Sequence, residues 1–266
     1  MNDDAPIAVL PMYDWDVVRP QTDQLWREIR DNLAANGIAA PRQLDRESDI
    51  VMAWESDNLV LGQTCGLPYI RDLRGKVHLV GTPDYAIPNC PNGWYNSVII
   101  VRKNDGRSTL ADYKNSRMAA NSPESQSGFL AMMYHIADLT TGARFFETIL
   151  LSGGHAASIA MVADGVADIA AIDHVSWRLA QKNETATEGL RVLECTIPTP
   201  GLPYICAKNQ NQKLIAKAVQ AAIEGLPADI KTALGIRGFW ASTPQEYAII
   251  AKRAELASRV SRLHGF

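Results

Sequence analysis

Short apolar runs alternate along this chain with segments whose apolar residues recur every three or four positions. Ile7 to Leu10 reads as a short strand, and Pro11-Met12-Tyr13-Asp14-Trp15 leaves its end with aromatic and polar residues. Open α/β sheets place their binding crevice just past such strand ends. Gln21 or Thr22 then starts a helix to about Ala35, with Leu25, Ile29 and Leu33 as its buried stripe, and Asn36-Gly37 stops it. Residues 40–57 read as a loop and a short helix. Strands are predicted at Leu59 to Gly62, Lys76 to Val80 and Ser97 to Val101, the last a β-branched run suited to burial on both faces. Gln63-Thr64-Cys65-Gly66 reads as a helix start, and Asn104-Asp105-Gly106 as a turn.

The alternation then becomes regular. Met118 to Ala120, Thr148 to Leu151 and Ala167 to Ile172 read as strands. The helices that follow them run from Ser127 to Ala137, to about Ala163, and from Asp173 through Leu179. Leu190 to Leu193 is a returning strand. Pro198, Pro200 and Pro203 precede a strand at Tyr204 to Ala207, after which only helices are expected, at Leu214 to Ile223 and Pro244 to His264. Such alternation implies an α/β chain with parallel sheet covered by helices. Its length of 266 residues allows one large domain or two of about 130. Crossings near 98–102 and 191–197 divide it into lobe one, 1–100 plus 197–266, and an inserted lobe two, 101–196.

Composition narrows the function classes. With 47% hydrophobic and 21% charged residues the chain is globular, and a core of this size needs neither metal nor disulfide. A net charge of -3, with no Lys/Arg stripe interleaved with aromatics, argues against a nucleic-acid partner. A small anion remains compatible, because helix N-termini hold anions without net positive charge. No run of about 18 apolar residues is present, so no membrane span is expected. The start Met-Asn-Asp-Asp-Ala-Pro lacks the basic, apolar pattern of a secretory leader. Either the protein stays in the cytoplasm or a leader has been removed. Cys65, Cys90, Cys195 and Cys206 form no CxxC pair and no metal-ligand spacing. They read as small buried thiols, with a Cys65–Cys90 disulfide as the alternative.

Three strand-to-helix turns carry the candidate chemistry: Asn121-Ser122-Pro123-Glu124-Ser125-Gln126-Ser127-Gly128, Ser152-Gly153-Gly154-His155, and Asp173. Each puts small, hydroxyl or polar residues where free backbone N–H groups and a positive helix dipole meet. Singly, each also reads as an ordinary helix cap. Their conjunction points to an anion site.

Taken with Tyr95-x-Ser97, Val162-Ala163-Asp164-Gly165-x-Ala167-Asp168 and Ala171-Ile172-Asp173, these turns resemble the phosphate/phosphite/phosphonate-type substrate-binding proteins of ABC transporters. Those belong to the type II periplasmic binding proteins, which include transferrin-like lobes. The resemblance implies two lobes, each a mixed, mostly parallel sheet flanked by helices, with the ligand cleft between them. It implies ligand contacts at Tyr95, Ser125, Gln126, Ser127, His155 and Asp173, with Tyr13, Trp15, Gln63 and Thr64 facing the cleft from the opposite lobe. Where the family usually has Ser-Thr-Ser-Gly, Gln126 here replaces a hydroxyl with a larger amide.

The implied function is capture of a small anionic or polar solute, by default a phosphonate- or phosphate-like oxyanion, through hinge closure for an ABC permease. No cofactor, metal or catalysis is expected; the resemblance implies a periplasmic location, with the cytoplasm as the alternative for a chain lacking a leader, and a monomer or weak dimer. The alternative is a cytosolic enzyme on the same fold, resembling menaquinone-pathway enzymes of the futalosine route, with His155 or Asp173 as general acid or base.

Overall fold

The computed structural model describes residues 5–140 and 142–266. The first four residues, which carry the reading of the leader, lie outside this range. In chain order the strands are β1 (Ile7–Val9), β2 (Leu59–Gln63), β3 (Val77–Asp84), β4 (Trp94–Tyr95), β5 (Ser97–Arg102) and β6 (Arg117–Ala120). They continue with β7 (Thr148–Leu151), β8 (Ile169–Asp173), β9 (Leu190–Cys195), β10 (Thr199–Pro200), β11 (Tyr204–Ala207) and β12 (Gly238–Trp240). The helices are α1 (Arg19–Ala35), α2 (Ile50–Glu55), α3 (Gly66–Pro68), α4 (Ala131–His135) and α5 (His155–Ala163). After them come α6 (His174–Asn183), α7 (Gln212–Gly225), α8 (Ala228–Leu234) and α9 (Ala248–Leu263).

The chain divides into two compact units, Met1–Trp94 with Pro200–Ala248, and Tyr95–Thr199 with Ile249–Phe266. In the first unit the sheet order is β1-β2-β11-β3-β12. Helix α1 starts with proline in its first turn, where no backbone donor is needed. Leu25, Trp26, Ile29 and Leu33 are buried along one side of α1, which packs against the buried stripe Ile215, Ala218, Val219, Ala222 and Ile223 of α7. Among the described strands of this sheet β1 and β2 pair in parallel; β11 runs antiparallel to β2 and β3, and β12 antiparallel to β3.

In the second unit the order is β7-β6-β8-β5-β9. Strands β7, β6 and β8 are parallel, while β5 runs antiparallel to both β8 and β9. Val98 to Val101 of β5 are essentially inaccessible, which fits their β-branched run. The sheets are thus mixed, with less parallel pairing than the alternation implied. Strands β5 and β11 each follow a passage of the chain from one unit to the other, with no helical crossover of their own to make them parallel.

Three further expectations are corrected. A strand, β12, follows Ala207 where only helices were expected; β3 continues past Gly81 to pair with it, Pro83 opposite Phe239. Gly81 has φ +149, and a Cβ there would lie 2.3 Å from the Phe239 ring. The passages lie at Trp94/Tyr95 and Thr199/Pro200, slightly outside the predicted ones. The segment Ile249–Phe266 groups with the second unit, not the first: His264 Nε2 accepts from the Phe145 and Phe146 N–H groups at 3.0 and 3.1 Å, and Phe266 meets Phe129 edge to face.

Candidate functional site

Because β7, β6 and β8 are parallel neighbours, their C-terminal ends share one edge of the second sheet. The three polar turns leave from that edge. Strand β5 brings a fourth segment there, since Ser97 at its start pairs with Asp173 at the end of β8. Tyr95, Ser125, Gln126, Ser127, His155 and Asp173 therefore come from adjoining strand ends.

The three helix starts are finished differently. After β6, Ser125 Oγ accepts from the Gly128 N–H at 2.9 Å and caps a π-helical turn, Gln126–Leu130, that runs into α4. The expected helix from Ser127 to Ala137 is thus a wide turn followed by a short α-helix ending at His135. Gly128 lets the turn close against Asn121: a Cβ there would sit 2.6 Å from Asn121 Oδ1 and force that side chain to shift. After β8, Asp173 Oδ1 accepts from Val175 and Ser176 N–H at 2.8 and 3.0 Å, an N-cap that occupies the donors of α6. After β7, Gly154 begins α5 with no side-chain cap. Ser152 instead bonds Ser158 Oγ at 2.6 Å and the Ala120 carbonyl at 3.1 Å, tying this turn to β6.

Between the open and the capped starts, Ser127 Oγ lies 2.9 Å from His155 Nε2. His155 Nδ1 and Gln126 Oε1 are buried and make no hydrogen bond among the described residues. Burial lowers the His155 pKa to about 3, so the imidazole is neutral near pH 7. At the start of α6, His174 Nδ1 meets Asn96 Oδ1 at 2.7 Å, and burial, aided by Arg178, lowers its pKa to about 4. The site thus offers hydroxyls, neutral imidazoles and backbone donors in place of a cation.

A serine beside an imidazole is also half of a nucleophile–base pair. Here no acceptor orients Nδ1 among the described residues, and the ring is a weak base. Both features work against activation of the hydroxyl.

Sequence reading missed some supporting residues. Ser97 Oγ donates to the Ser127 carbonyl at 2.9 Å and fixes the π-helical turn against β5; its signal was its place in Tyr95-x-Ser97. Asn96 carried no spacing signal, and Asn121 stood in the first turn without a role of its own. The motif around Asp164-Gly165-x-Ala167-Asp168 lies at the opposite edge of the sheet and is structural. Asp168 accepts from Arg102 Nη2 at 3.0 Å and from the Arg117 N–H and Nε at 2.9 and 3.1 Å. Burial pushes its carboxyl up, but those bonds reverse the shift and hold it well below the usual range.

The other four predicted residues lie in the first unit, near the C-terminal ends of the parallel pair β1 and β2. Tyr13 is buried, edge-on to Tyr85 at 5.1 Å, and Trp15 is half-buried. Gln63 is buried, with Nε2 unbonded among the described residues, and Thr64 donates its N–H to the Pro203 carbonyl at 3.1 Å. The four cysteines form no disulfide in this structure, and burial pushes the Cys206 thiol up to about 12. Among the described residues no helix is long and apolar enough to cross a membrane, and no acidic, His or Cys cluster has metal-binding geometry.

Comparison with known proteins bears on this arrangement. Solved structures with the same fold include XAC2383 from Xanthomonas citri bound to ATP (15% identity, TM-score 0.70, 98% of each chain covered). PhnD1 from Prochlorococcus marinus in complex with methylphosphonate aligns at 17% identity and TM-score 0.74, over 97% of this chain and 100% of that one. The periplasmic aliphatic sulphonate binding protein SsuA from Escherichia coli aligns at 16% identity and TM-score 0.64, over 100% and 90%. At such identities these likenesses establish the type II periplasmic binding fold. No curated protein matches in sequence. A family model described as ABC transporter, phosphonate, periplasmic substrate-binding protein matches residues 7–247, and the chain belongs to that family of solute-binding proteins.

Proposed function

We propose that this substrate-binding protein takes a small phosphonate-class oxyanion at the strand-end turns of the second unit and delivers it to an ABC permease. The observation that carries this reading is the unequal finishing of the three helix starts. Asp173 and Ser125 close two of them, while α5 begins uncapped beside the Ser127–His155 pair. An anion there meets backbone N–H groups, the positive end of α5, and two side chains that switch between donor and acceptor.

Gln126 refines the ligand class. Its buried amide oxygen needs a donor, and a singly protonated phosphonate supplies an O–H that a sulfonate lacks. The solved relatives support the range of chemistry: PhnD1 holds methylphosphonate and SsuA is an aliphatic sulphonate binder.

Calorimetric titration of refolded, solute-stripped protein with methylphosphonate, phosphate and methanesulfonate tests the assignment. Methylphosphonate is expected to bind more tightly than methanesulfonate. Ser127→Ala and His155→Ala should each weaken it by about 1–3 kcal/mol, the cost of losing a buried hydrogen bond. Wild-type affinity in both variants places the site elsewhere, and heatless titrations with all three anions remove the oxyanion reading.

A further inference from the structure

We infer that the first unit carries a second anion site, a groove between α1 and residues 41–46 that takes a chain-like polyphosphate. The groove measures about 620 Å³, and its walls include Asp23, Trp26, Arg27, Arg30, Arg42 and Arg46. None of these residues belongs to the strand-end turns of the second unit.

The geometry follows from helical spacing. Asp23, Trp26, Arg27 and Arg30 recur at intervals of three and four on α1 and so share one side of it. The opposite wall is held in place by two bonds to carbonyls. Trp26 Nε1 donates to Pro41 at 3.2 Å, and Arg30 Nη1 donates to Arg42 at 3.1 Å. Arg46 reaches back across to Asp23 at 2.8 Å.

Charge balance within the groove is incomplete. Arg30 is answered by Asp31, and Arg46 by Asp14 and Asp23. Arg27 and Arg42, one on each wall, are exposed and make no ion pair among the described residues. Four guanidiniums therefore face one carboxylate inside the groove, in a chain whose net charge is -3. Like charges held together this way repel until an anion bridges them. Guanidinium forks bind phosphate oxygens in pairs, which favours phosphates over a single small ion. The volume falls in the range of small-molecule sites, and a ligand with charge spread along its length reaches both unpaired arginines.

The test is calorimetric titration with inorganic tripolyphosphate at about 50 mM salt, where attraction across a groove is only partly screened. Wild-type protein and Ser127→Ala should each bind one equivalent. Joint Arg27→Gln and Arg42→Gln replacement should weaken binding at least tenfold while leaving the melting temperature and methylphosphonate binding unchanged, since both side chains are exposed. Sulfate should bind at least tenfold more weakly than tripolyphosphate. Undiminished affinity in the double variant overturns the site, as does the absence of binding to wild type. Loss of tripolyphosphate binding in Ser127→Ala also overturns it, by assigning that ligand to the strand-end turns.

Discussion

Ser127 and His155 bond each other at 2.9 Å in surroundings that keep the imidazole neutral, and that neutrality has a cost on acidification. In the unfolded chain a histidine takes up a proton below about pH 6.5, whereas His155 and His174 resist protonation down to about 3 and about 4. Between those limits the unfolded state binds more protons, so stability falls as pH drops. The contribution is complete above pH 6.5 and is lost progressively toward pH 3–4. Each group adds at most about 1.4 kcal/mol per pH unit to the slope. Urea unfolding from pH 7 to 4 should therefore be less steeply pH-dependent in His155→Gln than in wild type. Equal slopes in the two proteins would mean that His155 titrates normally and is not held neutral by burial.

At the level of the element, the turns were legible in sequence but their occupancy was not. Small and hydroxyl residues after three strands announce helix starts. Folding reveals that Asp173 takes two of the free donors of α6, that Ser125 serves Gly128, and that α5 begins uncapped. A cap and a ligand contact use the same residue types, so spacing cannot separate them. The π-helical turn escaped notice for a related reason: its bonding reaches five residues, while its apolar residues still fit a helix. Strand β12 is three residues long, too short to show a period. Asp173 tests the capping role directly. Asp173→Ala should cost about 1–2 kcal/mol of stability, as loss of a helix N-cap does, with Asp173→Asn recovering most of it. An affinity loss in Asp173→Asn without any stability loss in Asp173→Ala would make the carboxylate a ligand contact and not a cap.

For the whole molecule, the buried β5 run and the proline-rich return lie close to the passages at Trp94/Tyr95 and Thr199/Pro200, where the chain changes unit. The placement of α9 has no such mark in the sequence. Its buried residues Ile250, Ala257 and Val260 declare a face but not its partner, which the His264 bonds to Phe145 and Phe146 and the Phe266–Phe129 contact supply. Chain passages at Trp94/Tyr95, Thr199/Pro200 and Ala248/Ile249 connect the units, so any capture by hinge closure must be absorbed at these joints. Closure has two signatures that need not agree. Ligand at about a hundred times its dissociation constant stabilises the native state by about 2.7 kcal/mol however it is held. For a chain of this size that raises the melting temperature by about 5–10 °C. A fall in the radius of gyration in solution scattering requires that the units also move together. Methylphosphonate should produce both. A raised melting temperature at constant radius of gyration would mean that the second unit holds the ligand alone, and hinge closure would have to be abandoned while the strand-end site survived.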